Sequence, residues 1–195
     1  MTRWLTRAAC LLSVGSALTG CPKRVDTSID TSGPSPAEYY PLAVGNRWTY
    51  DQTFLGAKSS LVVEIVKEDN GFFYDSNGGE LTVDAVGVRD HKRYLLRSPV
   101  EPGREWKNVV SVSSVEHYKV VEAGAGCEAP FGRFERCVRV EARNRVDAKT
   151  TLVNEMTFAP AVGVVRIEVY AEVGQKRIPQ TRLELREFKA AAGRK

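Results

Sequence analysis

The side chains that most often carry out catalysis or bind metals are sparse in this sequence. Its 195 residues include two histidines, His91 and His117, and four cysteines. A zinc site needs three or four protein ligands, and two histidines far apart in sequence do not supply them. The chain also lacks the GxSxG, HExxH, GxxxxGK[ST] and SxxK motifs that hold nucleophiles, metals or phosphates. We therefore predict no catalytic residues, no metal site and no cofactor, so that the protein is not an enzyme.

Acidic residues are numerous, but their spacing does not single out a catalytic pair of carboxylates. One segment alternates charged residues with a period of two: Arg139, Glu141, Arg143 and Arg145. This period predicts cross-strand ion pairs on the outer face of a β-sheet.

The composition is that of a globular protein, with 43% hydrophobic and 27% charged residues. The formal net charge is +4, and Arg3 and Arg7 near the N-terminus supply two of these charges. Because the remaining charge is small and evenly interleaved, we expect no binding to nucleic acid.

The first 20 residues have the three parts of a secretory signal peptide. Arg3 and Arg7 precede an apolar run over residues 8–18. This run is about half the ~20 residues needed to cross a bilayer, so we expect no retained transmembrane anchor. It ends in Leu18-Thr19-Gly20-Cys21, which resembles the lipobox of bacterial lipoproteins. The resemblance implies cleavage between Gly20 and Cys21 and lipidation of Cys21, and two or three acyl chains would form an anchor that hardly dissociates.

Residues 21–38 are predicted to be the lipidated cysteine and a flexible tether. This stretch is rich in Ser, Thr, Asp and Pro, with Val25 and Ile29 as its large apolar residues. Such a composition cannot bury enough surface to fold. Pro22 rather than Asp follows the cysteine, so the simple retention signal for the inner membrane is missing. We predict a cell-envelope location, at the outer membrane rather than the inner one.

Residues 39–189 are predicted to form one antiparallel β domain, followed by a disordered tail at 190–195. Segments such as 61–66 and 165–170 alternate apolar and polar side chains, which gives each strand one dry and one wet face. Turn sequences rich in Gly, Asn and Pro separate them. The pattern of residues 109–121 fits either a helix or a strand. About nine or ten strands with one apolar face must curl, so the predicted fold is all-β, a strongly curved antiparallel sheet or an open β-barrel. One further set is predicted to share a face: Phe134, Val138, Val140 and Ala142.

Two cysteines, Cys127 and Cys137, remain after Cys10 is removed with the signal peptide and Cys21 is lipidated. In an exported protein such a pair predicts a disulfide. Residues 130–132 between them read Pro-Phe-Gly, a reversal that would bring neighbouring strands within bridging distance. A redox-active pair is the alternative, which nine intervening residues instead of two disfavour.

Two segments of the domain resemble a family of uncharacterised bacterial lipoproteins. Residues 40–50 follow the pattern YPLxxGNxWxY, and residues 158–165 correspond to an APGVGxV-type element. The resemblance implies a β domain and a lipoprotein location but no activity. The sequence departs from the pattern at Ala161, where glycine is usual, and this predicts a turn that needs no positive φ.

Four aromatic residues are candidates either for lining a ligand groove or for filling the core: Tyr40, Trp48, Trp106 and Phe158. Aromatic side chains in a β domain more often pack in the core. We therefore predict a membrane-anchored, non-enzymatic binding or structural domain, whose partner is a protein or a hydrophobic ligand.

The alternative function is a carrier of a lipid or acyl chain in a curved-sheet cavity. Gly45 and Trp48 are weakly similar to the GxW of lipocalins, although their spacing is GxxW. A carrier needs a continuous apolar pocket of about 300 to 1,000 Å³. A structural module instead fills its concave face with side chains.

Overall fold

Twelve strands joined mostly by short turns build the β domain. The structure, a computed structural model, describes residues 34–192. Strands β1 to β12 are, in order, Arg47–Phe54, Ala57–Asp69, Phe72–Asp75, Glu80–Val83, Gly87–Arg89, Tyr94–Arg97, Glu105–Ser111, Ser114–Ala129, Gly132–Arg145, Thr150–Ala159, Gly163–Val173 and Lys176–Lys189. This is more than the nine or ten predicted, because β3 to β6 have only three or four residues each. Such strands are too short to show an alternating pattern.

All pairs of neighbouring strands are antiparallel, in the order β6-β5-β4-β3-β2-β1-β12-β11-β10-β9-β8-β7. Strand β1 pairs with β12, so the first and last strands meet in the middle of the sheet, and β6 and β7 form its edges. The all-β prediction of a strongly curved sheet or open barrel is confirmed as a nearly closed, barrel-like sheet with one unsealed seam. Within the described residues, no helix is long and apolar enough to span a membrane.

Side chains join the two edge strands across the seam. The carboxamide of Asn108 donates to the carbonyl of Tyr94 at 3.1 Å and accepts from its N–H at 3.0 Å. Trp106 Nε1 donates to the same carbonyl at 2.8 Å. Next to this contact, Arg93 makes a two-point ion pair with Glu116 at 2.8 and 3.1 Å. One side-chain amide therefore takes the place of a peptide group in the missing strand ladder.

The buried side chains form two apolar clusters. The first joins β5 to β11 and contains Tyr39, Val88, Leu96, Val100, Trp106, Tyr118, Val120, Val138, Val140, Ala142, Met156, Phe158 and Val164. The second contains Trp48, Tyr50, Ile65, Cys137, Ala159, Val165 and Leu185. Both clusters bring together residues far apart in sequence, so the curvature of the sheet is fixed by burial of apolar surface.

The prediction that Phe134 shares a face with Val138, Val140 and Ala142 is wrong. Phe134 packs against the second cluster, whereas the other three belong to the first. The cause is a bulge in β9, where Arg136 has a φ of +55° and the register with β8 shifts. An extra residue in a strand reverses the face of everything that follows it.

The turn between β10 and β11 requires a left-handed residue. Ala161 has a φ of +59°, and its N–H donates to the carbonyl of Glu38. The prediction that this turn needs no positive φ is therefore wrong. Two residues on, Gly163 has a φ of +102°, and a Cβ added there would lie 3.4 Å from the indole of Trp48.

A short helical turn precedes the first strand. Residues Pro36–Tyr39 form a 3₁₀ helix capped by the side chain of Ser35, and Tyr39 is buried. Beyond β12, the N–H of Ala191 donates to the side chain of Asn46 at 2.7 Å. The predicted signal peptide, Cys21 and the tether up to residue 33 lie outside the described residues.

Candidate functional site

The far end of the β8–β9 hairpin is bent away from its own strands and forms an arm, residues 124–137. The bend occurs at Gly124, with a φ of +87°, and at Arg136. A disulfide between Cys127 and Cys137, whose Cα atoms are 6.0 Å apart, links the two strands of the arm. The predicted disulfide is thus confirmed, and it fixes the arm as one unit.

The arm lies against strands that are not its neighbours in the sheet. The N–H of Phe131 donates to the carbonyl of Leu185 on β12 at 2.8 Å. Arg166 on β11 donates to the carbonyl of Glu128 at 2.9 Å. Tyr39 holds the base of the arm, since its hydroxyl donates to the Arg136 carbonyl. These hydrogen bonds hold the arm against the outer face of the sheet.

A cavity of about 500 Å³ lies between the arm and the sheet. Its walls are mostly polar and include the disulfide: Glu122, Ala125, Gly126, Cys127, Glu128, Cys137, Arg139, Thr157 and Arg166. A volume of this size suits a small molecule, while the lining suits polar rather than apolar ligands.

Three residues at the floor of this cavity stand in register on adjacent strands. Arg139 on β9 is opposite Thr157 on β10, and Thr157 is opposite Arg166 on β11. Adjacent strands are about 4.8 Å apart, so the two arginine Cα atoms are separated by roughly 10 Å with a hydroxyl between them. Guanidinium groups are forked donors that match a carboxylate. Together the three side chains can hold one small anionic group.

The cavity continues along the outer face of the sheet. A second cavity, of about 210 Å³, shares Arg139, Thr157 and Arg166 with the first and adds Glu155 and Glu168. A third, of about 310 Å³, shares those two glutamates and extends to β12, where its lining includes Tyr170, Arg177, Pro179, Thr181 and Arg182. We call the three together the polar groove, which crosses the sheet from β9 to β12.

Three glutamates are directly opposite one another on adjacent strands, at positions Glu141, Glu155 and Glu168. Like charges in this arrangement are destabilising. Each has an arginine neighbour that offsets the repulsion: Arg143 lies 3.4 Å from Glu141, Arg139 lies 3.3 Å from Glu155, and Arg182 lies 3.4 Å from Glu168. Of the cross-strand ion pairs predicted for the alternating segment, those of Arg139 and Arg143 are present. Glu141 pairs instead with Arg143 on its own strand, and Arg145 donates to backbone carbonyls.

Glu155 is the most enclosed of these carboxylates. Its side chain is 16% exposed and lies 4.0 Å from Arg177. The hydroxyl of Tyr170 donates to it at 2.7 Å. Burial, followed by this hydrogen bond and the negative charge of Glu155, raises the pKa of Tyr170 above its ordinary value. The phenol therefore keeps its proton at neutral pH, and the centre of the groove is a fixed donor–acceptor pair.

The structure brings three of the four candidate aromatic residues together and leaves the fourth apart. The ring of Tyr40 is 5.9 Å from Trp48 and 6.4 Å from Phe158. Trp48 and Phe158 are 1% and 0% exposed, and Trp48 Nε1 donates to the carbonyl of Val162. Burial raises the pKa of Tyr40 well above its ordinary value. Because the rings contact one another and lie outside the lining of the polar groove, these contacts favour core packing over ligand lining.

Trp106 belongs to a different part of the sheet, where it packs against Tyr118 at 5.3 Å. It also borders a cavity of about 270 Å³, together with His117. His91 lies 3.0 Å from Glu80 at the surface. Within residues 34–192, no group of three or more His, Cys, Asp or Glu side chains is arranged to hold a metal ion.

Sequence reasoning singled out Arg139 but missed Thr157 and Arg166. The two residues come together with Arg139 only through the strand register, which shifts at a bulge between Thr157 and Phe158. The one signal in the sequence was the alternation of charged residues in each strand. That signal gives the face of a residue but not its cross-strand neighbours.

No model of a known protein family matches this chain, and no curated protein sequence is significantly similar to it. Among solved structures, the chain is similar to the crystal structure of a "putative lipoprotein" from Parabacteroides distasonis. The two share 11% sequence identity and superpose with a TM-score of 0.41 over 77% of this chain and 98% of that one. A similarity at this level does not carry function from that protein to this one.

Loss of the disulfide should weaken the domain without unfolding it. We expect Cys137→Ser to lower the free energy of unfolding by up to about 3 kcal/mol, because the unfolded chain gains conformational freedom when the cross-link is absent. Thermal denaturation of the variant beside the wild type measures this loss. Two free thiols in protein purified from an oxidising compartment would show that the bond does not form.

Proposed function

We propose that this chain is a lipid-anchored protein of the bacterial cell envelope whose β domain is a non-enzymatic binding module. The lipobox-like sequence ending at Cys21 supports the anchor. The disulfide between Cys127 and Cys137 supports an oxidising compartment, because such bonds persist outside the cytosol. The tether before residue 34 would let the domain stand away from the lipid headgroups.

The polar groove is the observation that carries the binding role. It is a concave surface with a roof, the arm, that a disulfide and the hydrogen bond from Phe131 to Leu185 hold in place. Binding sites are concave and largely preformed. The groove meets this description, and its charged side chains give it the means to select a ligand.

The packing of the aromatic residues favours a binding module over a carrier of lipid or acyl chains. Tyr40, Trp48 and Phe158 contact one another in the core, so their apolar surface is already covered by the protein itself. We therefore assign binding to the polar outer face of the sheet. The outer membrane remains our proposed location because Pro22 follows the anchoring cysteine.

Replacing Cys21 by serine tests the anchor. In a bacterium grown with an alkyne-tagged fatty acid, we expect the label to be lost entirely in Cys21→Ser, because the acceptor thiol is gone. Partition into the detergent phase is a weaker test, because an uncleaved signal peptide would also keep the variant there. The fatty-acid label is therefore the decisive measurement. Cys10→Ser is the matched control, since Cys10 lies inside the predicted signal, and it should label as the wild type does. A labelled Cys21→Ser protein would refute the lipoprotein assignment.

A further inference from the structure

We propose that the polar groove binds a short peptide by its free C-terminal carboxylate, held between Arg139 and Arg166 above the hydroxyl of Thr157. This inference rests on the binding role proposed above. It specifies the chemistry of the ligand and the side chains that recognise it.

The present partners of Arg139 leave it available to a ligand. It lies 3.3 Å from Glu122 and 3.3 Å from Glu155. The pair with Glu122 is between side chains that are 43% and 49% exposed, and exposed ion pairs of this kind contribute little. A ligand carboxylate can therefore replace Glu122 at one side of the guanidinium while Glu155 keeps the other.

Arg166 has an unused donor. Its terminal nitrogen donates to the carbonyl of Glu128 and lies 3.3 Å from Glu184. Its Nε is buried and has no hydrogen-bond partner among the described residues. A buried donor without an acceptor is costly, so an acceptor oxygen supplied by a ligand would be favoured at this position. The side chain is already oriented by its contact with the arm, which lowers the entropy lost on binding.

The remainder of the groove suits a polar ligand with little net charge. Besides Arg139 and Arg166 it presents two basic side chains, and the groove as a whole has four acidic and four basic ones, the acidic ones being Glu122, Glu128, Glu155 and Glu168 and the basic ones Arg139, Arg166, Arg177 and Arg182. The distance from β9 to β12 is three strand spacings, roughly 14 Å, which accommodates about four extended residues. A short peptide offers one carboxylate, neutral amide groups and one amino group for the glutamates. These properties together match the groove better than a simple anion does.

Equilibrium dialysis of radiolabelled trialanine against the full-length, lipidated chain in detergent micelles tests this proposal. We expect saturable binding at one site per chain. Arg139→Gln and Arg166→Gln should each weaken it by about tenfold or more, because each loses a charge-assisted hydrogen bond. Arg186→Gln is the matched control. It loses an ion pair with Asp51 but lines none of the three cavities of the groove, so its affinity should stay within about twofold of the wild type.

The chemistry of the probe is tested by two further ligands. Trialanine amide, which lacks the carboxylate, should bind about tenfold more weakly than the free acid, and inorganic phosphate should displace the peptide poorly. The proposal would be overturned if trialanine did not bind saturably, or if the acid and the amide bound with equal affinity. It would also be overturned if both arginine variants kept wild-type affinity, or if equimolar phosphate displaced the peptide fully. Arg139→Gln keeps the proposal testable if Arg166→Gln loosens the arm. If the chain is labelled at Cys21 but does not bind trialanine, the proposed ligand is wrong while the lipid anchor still stands.

Discussion

Trp48→Ala is expected to destabilise the domain by about 3 to 5 kcal/mol. The indole is 1% exposed and packs against Phe188, with ring centres 5.3 Å apart, as well as against Tyr40. It also donates to the Val162 carbonyl and touches the turn at Gly163. Its removal leaves a cavity and an unpaired carbonyl at the point where residues 40–50 and 158–165 meet. Unfolding in urea, followed by circular dichroism, measures the change.

An exposed aromatic residue on the same strand provides the control. Phe54 is 53% exposed at the end of β1, and Phe54→Ala should change the free energy of unfolding by less than about 0.5 kcal/mol. Near-wild-type stability of Trp48→Ala would contradict the core assignment. It would then move the carrier of hydrophobic ligands ahead of the binding module.

Asn108→Asp is expected to destabilise the domain by about 3 to 5 kcal/mol at neutral pH, because it places an uncompensated charge in a buried site. Asn108 is 5% exposed, and its amide both donates to and accepts from the backbone of Tyr94. A carboxylate can accept from the N–H but repels the carbonyl. Asn108→Ala removes both hydrogen bonds without adding charge and should cost less, about 1 to 3 kcal/mol. Parallel urea titrations of the two variants and the wild type give both values.

The pH dependence of the same variant separates charge from shape. A protonated carboxyl group has one donor and one acceptor, as the amide does, so Asn108→Asp should recover part of its stability as the pH falls below neutrality. Asn108→Ala should not recover. Asn70→Asp at an exposed turn is the control for a general effect of added charge. If Asn108→Asp matches the wild type at neutral pH, the side-chain bridge across the seam does not contribute to stability.

The sequence was sufficient to predict the fold class but not the number of strands. The long strands β2 and β11 contain the segments 61–66 and 165–170, whose alternating apolar residues follow from burial of one face. The short strands β5 and β6 have too few residues for a pattern, yet Val88 and Leu96 in them are fully buried. Their role comes from tertiary packing against β8 to β10, which a local pattern does not reveal.

Bulges are the reason that the groove could not be predicted. The bulge at Arg136 turns Phe134 to the face opposite Val138, and another near Thr157 aligns Arg166 with Arg139. One extra residue in a strand has little signature in sequence but changes every cross-strand neighbour after it. The disulfide could be predicted because its signal, an even pair of cysteines around a reversal, is local.

The seam was also beyond local reasoning. Asn108 lies in a strand whose other buried residue is Trp106, and a polar residue at such a position looks like a break in the pattern. It is explained only by Tyr94, 14 residues earlier, whose N–H donates to the Asn108 side chain and whose carbonyl accepts from it as well as from Trp106. The buried side chain of Asn108 therefore marks the place where the backbone ladder of this sheet is incomplete.

The lipid on Cys21 is the claim on which the proposed function rests, and the intact mass of the protein purified from bacterial membranes tests it most directly. We expect a mature chain that begins at Cys21 and carries the added mass of a diacylglyceryl group and an amide-linked acyl chain. A chain that retains residues 1–20, or one that begins at another residue without added lipid mass, would contradict it.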